Sequence, residues 1–179
     1  MEFRLFRRQS LAALFLLCVI PTAAQAQYLR ITGSAVNVRQ GPEVGSTVVG
    51  IAKAGEVFHQ IGELDDWYVI KMFSGEGRYI HASLAEPTER PPTLPDSEAT
   101  RKMAFEGFLR AEDRSFAEAD ARIGSSDESA YAEFQQLLDD RYKLKVCQSF
   151  PGIQPSHFEA IRVEGAEKGW DRIGAPLIP

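Results

Sequence analysis

Apolar and polar positions along the chain change their period once. Between Val36 and Leu84 they alternate or fall in short apolar blocks: Val36 and Val38 are interleaved with Asn37 and Arg39, and Gly41-Pro42 then stops the strand. Further apolar runs, Val48-Val49-Gly50-Ile51, Val57 to Ile61 and Trp67 to Phe73, are separated by Gly55, by Gly62 with Asp65-Asp66, and by Ser74-Gly75-Glu76-Gly77. Turn chemistry at such short intervals predicts a small all-β sandwich or barrel.

From Ser97 onward the spacing becomes helical. Phe105, Phe108, Leu109, Phe116, Ala119 and Ile123 recur at steps of three and four, which predicts one long amphipathic helix from about Ser97 to Arg122, ended by Gly124. Ser125 with Glu128 reads as a capping box for a second helix, whose stripe of Tyr131, Phe134, Leu138 and Tyr142 carries it to about Lys143. Helices joined by so short a turn pack antiparallel. Phe150-Pro151-Gly152 breaks the chain, and Pro155-Ser156 with Glu159 opens a shorter helix that brings Phe158, Ile161 and Trp170 to the open side of the hairpin. The Phe residues serve as the core between the helices or, if left exposed, as an interaction stripe.

Between the two periods, Pro87 to Ser97 holds Pro87, Pro91, Pro92 and Pro95, a density that favours an extended, semi-rigid spacer. The first residues form another kind of segment. Arg4, Arg7 and Arg8 precede the apolar run Leu11–Ile20, and Ala24-Gln25-Ala26 supplies small residues for cleavage after Ala26. That run is too short for an ordinary transmembrane helix, and Cys18 follows Leu17 without the small-residue context of a lipid attachment site. The expected organisation is therefore a signal peptide at 1–26, a β-barrel at 27–87, a Pro-rich linker at 88–97 and a small helical region at 98–179. After cleavage the protein is exported, periplasmic or secreted, with no stable membrane insertion. A helical region of that size sustains only a small core, so its stability is expected to depend on docking against the barrel or a partner.

Charge narrows the partners. The 179-residue chain has a formal net charge of −5, and the leader is itself basic, so the exported part is more acidic still. An acidic chain without basic clusters argues against nucleic acid and against an anionic membrane surface. Cys147 is the one cysteine left after cleavage, so it is buried, disulfide-linked to a partner chain, or reactive, and its neighbours Val146 and Phe150 favour burial.

The blocks Val36-Asn37-Val38-Arg39-Gln40-Gly41-Pro42, Asp66-Trp67-Tyr68-Val69 and Arg78-Tyr79-Ile80-His81-Ala82-Ser83-Leu84, in that order, resemble the bacterial SH3 domain (SH3b) over about Tyr28 to Pro87. The closing block has Arg78-Tyr79 where Gly-Trp is usual in that family, and Gln60 falls where an aliphatic residue is usual. The resemblance implies a small N-terminal SH3-like β-barrel; with the α-helical hairpin and short third helix read from the helical spacing, the expected fold class is α+β with segregated regions. The resemblance also implies a cell-envelope protein whose barrel recognises peptidoglycan stem peptide or a protein segment.

No catalytic constellation emerges. Cys147 with His157 is the one nucleophile–base pair a cell-wall cysteine hydrolase would use, yet the strands and length of a papain-like unit are missing after Pro95. No His-x-x-x-His or Cys-x-x-Cys spacing marks a metal site, and no cofactor motif is present. Asp65-Asp66 and Asp139-Asp140 are adjacent carboxylates that point in different directions, which suits a solvated turn and a helix surface. What remains is a recognition surface built from Tyr28, Arg39, Glu43, Trp67, Tyr79 and His81, where aromatic faces supply area and Arg and Glu pair with peptide charges. Trp67 also suits the core, and Arg39 the carbonyls of the Gly41-Pro42 turn. The expected function is a non-enzymatic envelope binding protein; the alternatives are an adaptor or inhibitor acting through the helices, and the cysteine hydrolase.

Overall fold

Gly41-Pro42, Gly55, Asp65-Asp66 and Ser74-Gly75-Glu76 each separate two strands, Gly62 falls at a register shift inside a strand, and the long periodic stretches are helices. The computed structural model describes residues 27–124 and 127–171. The leader, Cys18 and the cleavage site lie outside the described residues, as does Ser125. The strands are β1 (Tyr28–Ile31), β2 (Ala35–Arg39), β3 (Val48–Lys53), β4 (Val57–Leu64), β5 (Trp67–Lys71), β6 (Gly77–His81) and β7 (Ala85–Thr88). The helices are α1 (Glu98–Arg122), α2 (Glu128–Ser149) and α3 (Phe158–Lys168), the last preceded by a 3-10 turn at Pro155–His157. The fold is α+β with segregated regions.

The strands form one antiparallel sheet in the order β3-β2-β6-β5-β4-β1-β7. Asp65 and Asp66 make the two-residue turn from β4 to β5, exposed as expected, with Asp65 in the left-handed region at φ 51°. The sheet is not closed into a barrel, contrary to the sequence expectation. The reason lies at β3, whose backbone acceptors are taken by α2. Arg141 donates to the carbonyls of Val49 (3.0 Å) and Val48 (3.3 Å), and Gln148 donates to that of Ile51 (2.9 Å). Gly50 permits this approach, because a Cβ there would stand 2.8 Å from a methyl of Leu144. A helix therefore covers the edge that a closing strand would otherwise pair.

Helix ends follow local chemistry. Ser97 caps α1 by accepting from the N–H of Thr100 (3.2 Å). At α2 the cap is Asp127, accepting from Ala130 (3.0 Å), rather than the Ser125 of the expected capping box. This helix also runs on to Ser149, well past Lys143, because Leu144 and Cys147 continue its apolar face into the sheet.

The sheet and the helices share a core. Leu29, Ile31, Val36, Val38, Phe58, Ile70 and Ile80 from the strands form one cluster with Phe105, Phe108, Leu144, Cys147 and Ile161 from the helices. Each fully buried aliphatic or aromatic side chain in such a cluster contributes about 1.5–3 kcal/mol. A smaller cluster of Ala111, Ala119, Leu138 and Tyr142 lies between α1 and α2. Phe158 packs edge-on against Phe73 and Phe108, and Trp170 against Phe105. Phe105 and Phe108 are thus core residues, whereas Phe116 is exposed.

Two ionic systems tie the helices to the sheet and to each other. Arg78 on β6 reaches Asp140 on α2 through Nε and Nη2, both at 2.9 Å, and the N–H of Ser74 donates to the other carboxylate oxygen at 2.9 Å. Both side chains are nearly inaccessible, at 7% and 0% exposure. Beside them the buried Asp139 accepts from Lys143 at 2.9 Å, and the Lys143 ammonium also faces the Phe158 ring. Asp139-Asp140 is therefore not a solvated pair, because each carboxylate has an opposite charge within the core. The second system is a fork between Arg101 on α1 and Glu164 on α3 (2.7 and 2.9 Å), extended by Lys168.

Candidate functional site

Cross-strand register decides which candidate side chains share a surface. Arg39 on β2 opposes Tyr79 on β6; Tyr79 opposes Val69 on β5; His81 opposes Trp67. Directly opposed residues, and those two apart along a strand, lie on one face. Arg39, Tyr79, His81, Val69 and Trp67 consequently form one patch, and the intervening Val38, Ile80 and Ile70 point the other way, into the core shared with the helices.

Local contacts set the orientation of each member. Arg39 donates from Nη1 to the carbonyl of Ser46 at 2.9 Å, folding the Gly41–Ser46 loop onto the end of β2. The hydroxyl of Ser46 donates to Gly41 (2.8 Å), closing the same loop, which carries the exposed Glu43. One edge of the guanidinium is thereby spent on the turn. Trp67 is mostly buried, with its ring edge-on to His81 at 5.2 Å. His81 caps the following 3-10 turn: the N–H of Ser83 donates to Nδ1 (3.3 Å), so the neutral ring carries its proton on Nε2. Tyr79 and His81 are half-buried and supply the accessible aromatic surface.

Tyr28 stands apart. It lies on β1, separated from β6 by β4 and β5, and stacks on His59 at 4.9 Å. The Nε2 of His59 in turn contacts the carbonyl of Ser156 at 3.1 Å, so this pair belongs to the junction with the third helix. Val69 is a patch member that sequence reasoning did not name. Its parity with Trp67 was the available signal.

The two departures from the family pattern have different explanations. Arg78 faces the helices rather than the patch, and its partner is Asp140. Gln60 opposes Ile70 on the inner side just before a shift in register, and its amide donates to Glu63 at 2.9 Å.

The nucleophile–base candidates sit in poor surroundings for chemistry. Cys147 is buried at 2% exposure, and burial, reinforced by Glu56, pushes its thiol well above the ordinary range. His157 is buried too; burial lowers its pKa, and its Nδ1 accepts from the N–H of Gln154 (3.1 Å). Among the described residues there is no group of three His, Cys, Asp or Glu side chains placed to hold a metal ion. No helix among them is long and apolar enough to cross a membrane.

Residues 34–86 match the family model of the bacterial SH3 domain, which takes in β2 to the start of β7; the rest of the chain matches no family model. No curated protein matches the chain. The match suggests a cell-wall or protein binding role.

Proposed function

We propose that the protein is exported, loses residues 1–26, and acts in the cell envelope as a non-catalytic binding protein whose β2–β6–β5 patch holds a peptide of the peptidoglycan stem class. The observation that carries this reading is the registered set Arg39, Tyr79, His81 and Trp67 on the face opposite the helix-covered core. Tyr79 and His81 offer aromatic area at small entropic cost, with the mostly buried Trp67 backing His81. The unspent edge of Arg39 suits a carboxylate, Nε2–H of His81 a carbonyl, and Glu43 an ammonium group. Stem peptides present all three. The helices serve as a brace, because their large apolar residues are mostly spent against the sheet.

Co-sedimentation with insoluble peptidoglycan tests the proposal. The wild type is expected in the pellet and the Tyr79→Ala, His81→Ala variant in the supernatant. Failure of the wild type to sediment removes the cell-wall ligand, and equal sedimentation of the variant removes this patch.

A further inference from the structure

A second concave surface lies on the helices, away from the patch. A cleft of about 360 Å³ opens between α1 and α2, within the size range of small-molecule sites. Its deeper wall is apolar: Ala111 is buried, and Val146 and Phe150 are half-buried. Its charged lining consists of Arg110, Arg114 and Lys145, with no carboxylate among the lining residues, on a chain whose net charge is −5.

The cations are available. Arg114 lies 4.4 Å from the centre of the Tyr142 ring, and Lys145 lies 5.7 Å from the same centre, so both cations stand close to one aromatic ring of the cleft lining. Neither forms an ion pair among the described residues. Glu118, whose carboxyl is held below its ordinary pKa by Tyr142 and by the charges of Arg122 and Arg114, is engaged on one oxygen by the Tyr142 hydroxyl and on the other by Arg122 at 2.7 Å. Arg110 has only a long, exposed contact with Glu106 at 3.9 Å. Like charges lining one apolar cleft are relieved by an anion that seats among them and extends an apolar body inward.

We propose that this cleft binds an amphiphile with one anionic head group, carboxylate or phosphate, held by Arg114, Lys145 and Arg110, and a short apolar body lying on Ala111, Val146 and Phe150. Calorimetric titration of the purified protein with octanoate and with octyl phosphate tests it, with octylamine and octanol as controls. Binding of at least one anion is expected, with neither control binding comparably; the anion that binds more tightly identifies the head group. Affinity is expected to fall about tenfold or more in Arg114→Gln with Lys145→Gln, and with added salt. It is also expected to fall in Ser149→Trp, which fills the cleft from an exposed lining position, and to be unchanged in Tyr79→Ala, His81→Ala. The proposal is overturned if neither anion binds the wild type, if octanol or octylamine binds as tightly, or if both cleft variants bind like the wild type.

Discussion

Removing Arg78 from beneath the helices should be among the most damaging single changes to this fold. In the wild type Asp140 is fully buried and receives three N–H donors, two from Arg78 and one from Ser74, each at 2.9 Å. Arg78→Ala leaves that carboxylate in the core with one donor, and Asp140→Ala leaves the guanidinium without its partner. Breaking a buried pair from either side costs about 3–5 kcal/mol, a large part of the roughly 5–15 kcal/mol that holds a domain folded. Replacing both with apolar side chains, Arg78→Met with Asp140→Leu, removes the stranded charge and is expected to lie within about 1–2 kcal/mol of the wild type. A double-mutant cycle whose single changes are likewise Arg78→Met and Asp140→Leu should therefore give a coupling of about 3 kcal/mol or more. Urea unfolding followed both by far-ultraviolet circular dichroism and by tryptophan fluorescence measures it, and the two signals should share one midpoint because sheet and helices share a core. The reasoning is refuted if either single change costs less than about 1 kcal/mol, or if helices and sheet unfold at separate midpoints.

Three further outcomes follow from packing and charge. A Cβ on Gly165 would stand 2.4 Å from the Phe105 ring, so Gly165→Ala should destabilise by about 1–2 kcal/mol despite its better helix propensity; a stabilised variant in the same urea assay would contradict this. Arg101 and then Lys168 hold the Glu164 carboxyl down to about 2, so its contribution is full above the ordinary value of 4.5 and is lost as pH falls towards 2; melting temperatures of Glu164→Gln should show a shallower decline across that window, and an unchanged slope would remove the assignment. Cys147 should resist a thiol reagent in the native protein and react once urea unfolds it, whereas complete labelling of the folded protein would show that the thiol is accessible.

Much of this architecture was legible because it depends on neighbours in sequence. Val36 and Val38 alternate with polar residues and are buried; Ser97 caps the helix it precedes; Asp65-Asp66 turns a hairpin. The features that escaped depend on groups far apart in the chain. Arg78 stood out only as a departure from the family pattern, because strand periodicity records which face a residue occupies but not its partner, here 62 residues downstream. Asp139-Asp140 looked solvated for the same reason, although Lys143 four residues on was a readable partner for Asp139. Barrel closure was expected from the spacing of the turn signals and the resemblance to the bacterial SH3 domain, and nothing local announces that α2 takes the acceptors of β3. Within the candidate site, alternation along β6 is what puts Tyr79 and His81 on one face, while the separation of Tyr28 follows from strand order, which alternation does not encode.

The most direct test of the binding account is residue-level. Nitrogen-15-labelled protein titrated with a soluble stem peptide should show saturable amide shifts confined to Arg39–Glu43, Trp67–Val69 and Tyr79–His81, with α1 to α3 undisturbed. An absence of shifts, or shifts centred on the helices, would contradict it.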